Sequence, residues 1–337
     1  MKAIVLEELF KPVVLKETST PQPAADEVLV QIKAAALNHR DVFIKYGLYP
    51  GIKLPCILGS DGAGVVIETG QEVDKNWLGK EIIINPGHNW GSHEAYYTKD
   101  FKILGMPDDG TFAEYIKVKA QYLYPKPSHL DFEAAVALPL AGVTAWRALM
   151  SRARMKAGDR VLVTGIGGGV ALFVLQFAVA AGAEVWVTSS SDEKIQKAIT
   201  LGAKGGVNYK KPDWSKELLA AAGGSKMGYF DVIIDSAGGV GFNKLIDVAA
   251  LGGRICFYGG TTGNITDLIP AKIFFKQLDI LGSTMGSEAE FEAMVKFTQQ
   301  HQIQPVVDQI FALEEAEAAL KYMEKAAQFG KIVLKVG

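Results

Sequence analysis

Residues 161–171 read Val161-Leu162-Val163-Thr164-Gly165-Ile166-Gly167-Gly168-Gly169-Val170-Ala171, four glycines set between a short apolar run and a longer one at 172–181. The order is strand, tight turn, helix, which is what a dinucleotide phosphate needs. Glycine permits the sharp turn and lets a pyrophosphate approach the main chain. The helix then offers unpaired N–H groups, from Gly168, Gly169 and Val170 onward, and the positive end of its dipole. Gly-rich turns also join strands to helices for purely structural reasons, so the cluster takes its meaning from its surroundings.

About twenty residues further on, an Asp or Glu ordinarily holds the ribose hydroxyls of an unphosphorylated dinucleotide. Here the chain reads Val187-Thr188-Ser189-Ser190-Ser191-Asp192-Glu193-Lys194, and Ser189 stands where the acid would be. A carboxylate there would repel a 2′-phosphate. Ser189, Ser190 and Ser191 would instead donate hydrogen bonds to it, and Lys194 a charge, so the sequence predicts NADP(H) over NAD(H). Ser191 or a neighbour also reads as the N-cap of a helix opening near Asp192, and one helix end can serve both purposes.

Around these residues the chain changes texture. Up to about residue 125 it is β-rich, with strand-like runs at 27–34, 64–68 and 79–86 punctuated by Gly and Pro as in a small barrel. Residues 88–110 are aromatic, polar and turn-rich and read as a surface lobe, with a lid over a substrate as the bolder alternative. From Pro125-Lys126-Pro127 onward, strand-like runs at 161–164, 184–188, 207–208, 230–235, 254–258 and 278–282 alternate with helical segments such as 192–201 and 243–250. Such alternation builds a parallel sheet covered on both faces. A helix at 287–301, an extended run at 306–311, a helix at 313–326 and a strand at 331–335 close the chain. The expected division is therefore 1–127 with 285–337 as one domain and 128–284 as the other.

Bulk composition narrows the classes. At 337 residues the chain is too long for one ordinary core. Its 49% apolar content and 36 glycines fit a globular α/β enzyme. A net charge of −2 without blocks of like charge gives no footing to a nucleic acid or an anionic membrane. Glu7 and Glu8 follow residues 1–6 where a signal peptide would carry its apolar core. With only Cys56 and Cys256, the simple reading is a reducing compartment and a cytoplasmic protein.

Further motifs flank the glycine cluster in a fixed order. Asn38-His39-Arg40-Asp41 comes first, then Gly47-Leu48-Tyr49-Pro50 and Gly59-Ser60-Asp61-Gly62-Ala63-Gly64-Val65-Val66. Downstream stand Leu140-Ala141-Gly142-Val143-Thr144-Ala145-Trp146 and Phe329-Gly330-Lys331-Ile332-Val333. In this order the chain resembles the medium-chain dehydrogenase/reductase superfamily over essentially its whole length. The resemblance implies a GroES-like β-barrel catalytic domain plus a doubly wound parallel-sheet Rossmann domain, with an active site in the cleft between them. It also implies a homodimer joined through edge strands near 278–285. The zinc alcohol dehydrogenases of that superfamily place a Cys at the position of Asn38, a His at that of Ser60 and a Cys at that of Leu140. An amide, a hydroxyl and an isobutyl group are poor zinc ligands, and residues 85–110 contain no cysteine for a structural zinc. A makeshift site from His39, Asp41, Cys56 and Asp61 is the weaker alternative to no metal at all. The chain most resembles the zinc-free, quinone oxidoreductase-like branch, and Gly165-x-x-Gly168-x-x-Ala171 suits that branch better than a strict G-x-G-x-x-G.

For such an enzyme the nicotinamide supplies the hydride, and side chains must stabilise the developing oxyanion and deliver a proton. Tyr49 matches a tyrosine that related zinc-free reductases place near the substrate. Asn38, at the metal-ligand position, is the next candidate, with Asp41 three residues on. Two of these have a purely structural alternative, in which Tyr49 packs a turn and Asp41 ties loops together. By position in the resemblance, Thr144 should lie beside the nicotinamide, and Tyr209 is expected among the cofactor-binding residues. Gly259, Gly260 and Ser283 should approach the nicotinamide and its carboxamide, and Lys331 should offer charge to the phosphates. The expected acceptors are quinones, enones and similar conjugated carbonyls. Two other readings stay open: a zinc-free enzyme acting on aldehydes or alcohols, and a nucleotide-binding sensor or structural protein with little activity.

Overall fold

Val161, Leu162 and Val163 are fully buried, as the apolar run 161–163 demands of a strand covered on both faces. Their strand, Arg160–Val163, lies inside a six-stranded, all-parallel sheet. The order across it is Gly205–Asn208, Glu184–Ser189, Arg160–Val163, Phe230–Asp235, Ala249–Phe257, Asp279–Gly282. Numbered along the chain this is 3-2-1-4-5-6, the order of two mononucleotide-binding halves meeting at a switch point. The helix Gly169–Ala180 is apolar nearly all round and buries Leu172, Phe173, Val174, Leu175 and Phe177. The computed structural model describes residues 1–337, and it divides them into this unit, 144–285, and a second made of 1–143 with 286–337.

The second unit is built on a seven-stranded, mostly antiparallel sheet. Its path runs Leu123–Pro125, Glu81–Ile84, Asp61–Thr69, Glu27–Ala36, Lys331–Lys335, Val307–Ala312, with Tyr115–Lys119 also pairing with Glu27–Ala36. A three-stranded sheet of Lys2–Leu6, Val14–Glu17 and Cys56–Ile57 accompanies it. Strand Glu27–Ala36 lies against Asp61–Thr69 so closely that a Cβ on Gly64 would fall 2.1 Å from the Gln31 carbonyl oxygen. Only glycine fits there. Val28, Val30, Ile32, Val66, Ile82, Ile84, Ile332 and Leu334 belong to one buried cluster, so the two ends of the chain share a core.

The first boundary between units falls at 143/144 rather than near 127. The short helix Phe132–Ala135 explains the shift, because it packs on strands Glu27–Ala36, Asp61–Thr69 and Val307–Ala312 of the antiparallel unit. The aromatic stretch expected as a surface lobe has a small core of its own. Trp90 is buried, meets Tyr97 and Phe101 edge-on at 5.7 and 5.2 Å, and donates its indole N–H to the His93 carbonyl. No helix is long and apolar enough to cross a membrane.

Candidate functional site

In the antiparallel unit, Asn38 lies between strand Glu27–Ala36 and the helix His39–Lys45, which it caps. Its backbone N–H donates to Asp41 Oδ2 at 2.8 Å, so the side chain is left for other partners. Asn38 Nδ2 donates to Asp61 Oδ2 at 2.9 Å, and Asn38 Oδ1 accepts from Lys331 Nζ at 2.7 Å. Lys331 Nζ also donates to Asp61 Oδ2 at 2.9 Å and to the Leu37 carbonyl at 2.7 Å. The Lys331 and Asp61 side chains are 4% and 0% exposed, so this is a fully buried ion pair. Removing one partner of such a pair ordinarily costs about 3–5 kcal/mol, because the other charge is left uncompensated.

The sequence positions expected to replace zinc ligands do converge, and Asp61 is where they meet. Its Oδ1 accepts the Leu140 N–H at 2.8 Å, and Ser60 is its chain neighbour. The Ser60 hydroxyl is claimed by Arg40 Nη1 at 2.7 Å and donates to the Leu104 carbonyl. These residues do not fit a zinc ion. One carboxylate is the sole good ligand, both its oxygens already accept hydrogen bonds, and an ammonium sits within 3 Å of it where a dication would be repelled. No three His, Cys, Asp or Glu side chains anywhere in the chain converge to hold a metal, the set His39, Asp41, Cys56 and Asp61 included.

Arg40 is buried too, its guanidinium donating to Ser60 and to the carbonyls of Leu104 and Met106. Tyr49 lies with its ring 4.9 Å from the Arg40 guanidinium carbon, half-buried against the core, and its hydroxyl is bonded to no group of the protein. Asp41 is fully buried and its Oδ1 has no partner. Burial pushes its carboxyl up to about 6, against the opposing pull of Arg40, the Asn38 N–H and Lys331. Lys331 differs from expectation: all its donors are used inside this unit, and none is left for a phosphate. Asp61, expected at most as a ligand of a makeshift metal site, is instead the hub of this hydrogen-bonded group, and Arg40, to which no role was assigned, holds Ser60.

In the parallel unit the glycine turn is tied to the second strand. Gly165 N–H donates to Thr188 Oγ1 and Ile166 N–H to the Thr188 carbonyl. Gly165 and Gly167 have φ of +63° and +132°, which is why both must be glycine. Gly168 caps the helix Gly169–Ala180 and faces open space, with no atom within 4 Å of where its Cβ would stand. The N–H groups of Gly169, Val170 and Ala171 precede the first intrahelical acceptors and are free for an anion. At the switch point Thr164 Oγ1 donates to Asp235 Oδ1 at 2.5 Å, and Asp235 Oδ2 accepts the Gly238 N–H.

The serine run divides its labour. Ser189 is 2% exposed and its hydroxyl turns inward, donating to the Ile166 carbonyl and accepting the Ser191 N–H. Ser191 Oγ caps the helix Asp192–Thr200 by accepting the Lys194 N–H. Ser190 and Ser191 are both half-exposed, Ser190 without a capping role, and Tyr209, 43% exposed, is held alongside by its N–H on the Ser189 carbonyl. Thr144 is buried in the helix Pro139–Trp146, near Met285. A Cβ on Gly259 would fall 2.8 Å from the Ser236 carbonyl, whereas Gly260 is crowded by nothing closer than 3.8 Å. Ser283 gives its N–H to the Phe257 carbonyl, and its hydroxyl is buried without a partner. Free helical N–H groups, an open glycine and an orphaned hydroxyl at the ends of parallel strands are what a nicotinamide dinucleotide requires, so the residues present fit that cofactor.

Comparison with known proteins agrees on both units. Residues 24–128 match the family model of the alcohol dehydrogenase GroES-like domain, and residues 169–300 match that of the zinc-binding dehydrogenases. A zinc-type alcohol dehydrogenase-like protein of Leptosphaeria maculans is 38% identical, covering 98% of this chain and 96% of its own. The acryloyl-coenzyme A reductase of Sulfurisphaera tokodaii is 30% identical over 99% of this chain and 100% of its own. A crystal structure of an NAD-dependent alcohol dehydrogenase superposes with a TM-score of 0.94 at 38% identity, covering the whole of both chains. A GroES-like unit with a Rossmann unit defines the class, an oxidoreductase of two-domain dehydrogenase type. The chain belongs to the medium-chain dehydrogenase/reductase superfamily, beside its zinc-type alcohol dehydrogenase-like members.

Proposed function

We propose that this protein is a zinc-independent, NADPH-dependent reductase of quinones, enones and similar conjugated carbonyls. The observation that carries this reading is the Asp61–Lys331–Asn38 group, in which hydrogen-bond donors stand where a polarising metal would have to sit. Neutral donors pull on a carbonyl oxygen less strongly than a dication does. They suit acceptors that already delocalise the charge arriving with the hydride. Acryloyl-coenzyme A, named for one relative, is such an acceptor. The bound nicotinamide supplies the hydride. Tyr49, with its uncommitted hydroxyl, and Asn38 are the donors to the acceptor oxygen, and Asp41 acts through its hold on Asn38. For the cofactor, a neutral serine at the end of strand Glu184–Ser189, with Ser190, Lys194 and Tyr209 around it, favours a 2′-phosphate.

Its likeness to zinc-type alcohol dehydrogenase-like proteins favours a second reading, reduction of aldehydes by the same residues, and one of the similar structures is that of an NAD-dependent alcohol dehydrogenase. One experiment separates these. Purified protein is offered quinones, enones, enoyl thioesters and aldehydes with NADPH or NADH, and nicotinamide absorbance is followed. Turnover of conjugated acceptors with NADPH, falling at least about tenfold in Tyr49→Phe, is the expected result. Turnover of saturated aldehydes alone would replace the substrate reading, and tighter NADH binding by tryptophan fluorescence would replace the cofactor reading. We further propose a cytoplasmic homodimer. The two cysteines are buried and unpaired, and strand Asp279–Gly282 is an open edge of the parallel sheet.

A further inference from the structure

Every hydrogen of the Lys331 ammonium is taken, by Leu37 O, Asn38 Oδ1 and Asp61 Oδ2, so this buried cation cannot itself touch a substrate. Its partners nevertheless settle how the Asn38 carboxamide is turned. An ammonium only donates, so the Asn38 atom 2.7 Å from Lys331 Nζ is oxygen. A carboxylate only accepts, so the Asn38 atom 2.9 Å from Asp61 Oδ2 is nitrogen. Reversing the amide would set NH₂ against ammonium and oxygen against carboxylate, repulsive at both ends. The carboxylate fixes the orientation of the amide, and the ammonium acts on it electronically as well. A cation on the oxygen draws density from the nitrogen and makes both N–H groups stronger donors, and the effect grows in a low-dielectric interior. One of those hydrogens goes to Asp61. The other has no acceptor in the protein, although Asn38 is only 7% exposed.

We infer that Lys331 and Asp61 are a positioning pair that clamps and polarises Asn38, so that its second Nδ2–H is the donor that holds the oxyanion developing on a carbonyl substrate. The inference rests on the reductase reading above and adds its specificity. A fixed amide hydrogen, with the ammonium on the oxygen end of the same amide, meets one carbonyl oxygen beside the Tyr49 hydroxyl and cannot hold two substrate atoms as a metal does, so substrates that need bidentate chelation are poor ones. Asn38 is the catalytic residue of the trio; Lys331 and Asp61 act through it.

The test uses the full chain. Because Lys331→Met alone strands a buried carboxylate, the informative variant is Lys331→Met with Asp61→Asn. It removes both charges while leaving an acceptor for Asn38 Nδ2. With an enone and NADPH, kcat is expected to fall by about tenfold to a hundredfold. The KM for the enone and the Kd for NADPH should stay within about threefold, since ground-state binding is not what the clamp serves. Lys331→Arg, which can still donate to Asn38 Oδ1, should recover most of the loss. In ¹⁵N-asparagine spectra of the cofactor-free protein, the Asn38 side-chain N–H signals, assigned with Asn38→Ser, should move upfield in the double variant. An unchanged kcat, or unmoved Asn38 signals, overturns the inference. If the wild-type protein reduces no acceptor, the reductase reading has failed, and the Asn38 signals still decide whether the clamp polarises the amide.

Discussion

Asp41 shows how a single buried carboxyl sets a pH dependence. Its folded value of about 6 lies above the ordinary 3.8, so the native state holds the proton more tightly than the unfolded chain. Stability from this group is therefore complete below pH 4 and is lost as pH rises through 6. Asp41→Asn keeps an acceptor for the Asn38 N–H and removes that loss. Its Tm relative to wild type should climb between pH 4 and pH 7 in calorimetric scans, and a constant difference across that range would refute the assignment. At this scale the sequence was partly readable. Asn38, Asp41 and Tyr49 could be picked out because each stands in a local motif. The role of Lys331 could not, because its partner Asp61 is 270 positions away and nothing local distinguishes a lysine that meets a phosphate from one buried against a carboxylate. The inward turn of Ser189 was hidden for the same reason: it depends on the Ile166 carbonyl from a neighbouring strand's loop.

Among elements, the glycine turn and its helix give the sharpest test of the nucleotide site. Gly168 has φ −77°, ψ 154°, a conformation any residue adopts, and open space beyond its α-carbon. Gly168→Asp should thus leave Tm within about 1 °C of wild type, since nothing is crowded or strained. It should weaken dinucleotide binding at least about tenfold by tryptophan fluorescence, because it places a carboxylate where the phosphate meets the helix. Undiminished binding would put the phosphates elsewhere. The strands of this sheet were legible because buried parallel strands are short apolar runs with helical spacing between them. The helix Pro270–Lys276 was not, and the reason is physical: it is two turns long, and its apolar residues Ile273, Phe274 and Phe275 are consecutive, without the three-to-four-residue spacing that marks a buried face. The π-helical turn Arg147–Arg152 likewise has no sequence signature that separates it from the α-helix it continues.

For the molecule as a whole, the exposed side of helix Pro270–Lys276 matters. Phe274 and Phe275 are 60% and 77% exposed on the helix that leads into the open strand Asp279–Gly282. Large apolar side chains next to an unpaired strand edge ordinarily mark an interface. If the proposed homodimer uses this edge, Phe275→Lys should shift the light-scattering mass from dimer toward the 36.3 kDa of one chain without unfolding either unit. A dimer indifferent to the change would have to form elsewhere. The two units differ also in how they are drawn from the chain, one continuous from 144 to 285 and the other assembled from both ends. A ribosome therefore delivers Asn38 and Asp61 before the Rossmann unit and Lys331 after it. During synthesis the Rossmann unit can complete itself, while Asp61 waits without its counter-ion and the strand between Glu27–Ala36 and Val307–Ala312 is still missing. The Asn38–Asp61–Lys331 group is thus closed only after every residue of the Rossmann unit has been made, an order of assembly written into the path of the chain.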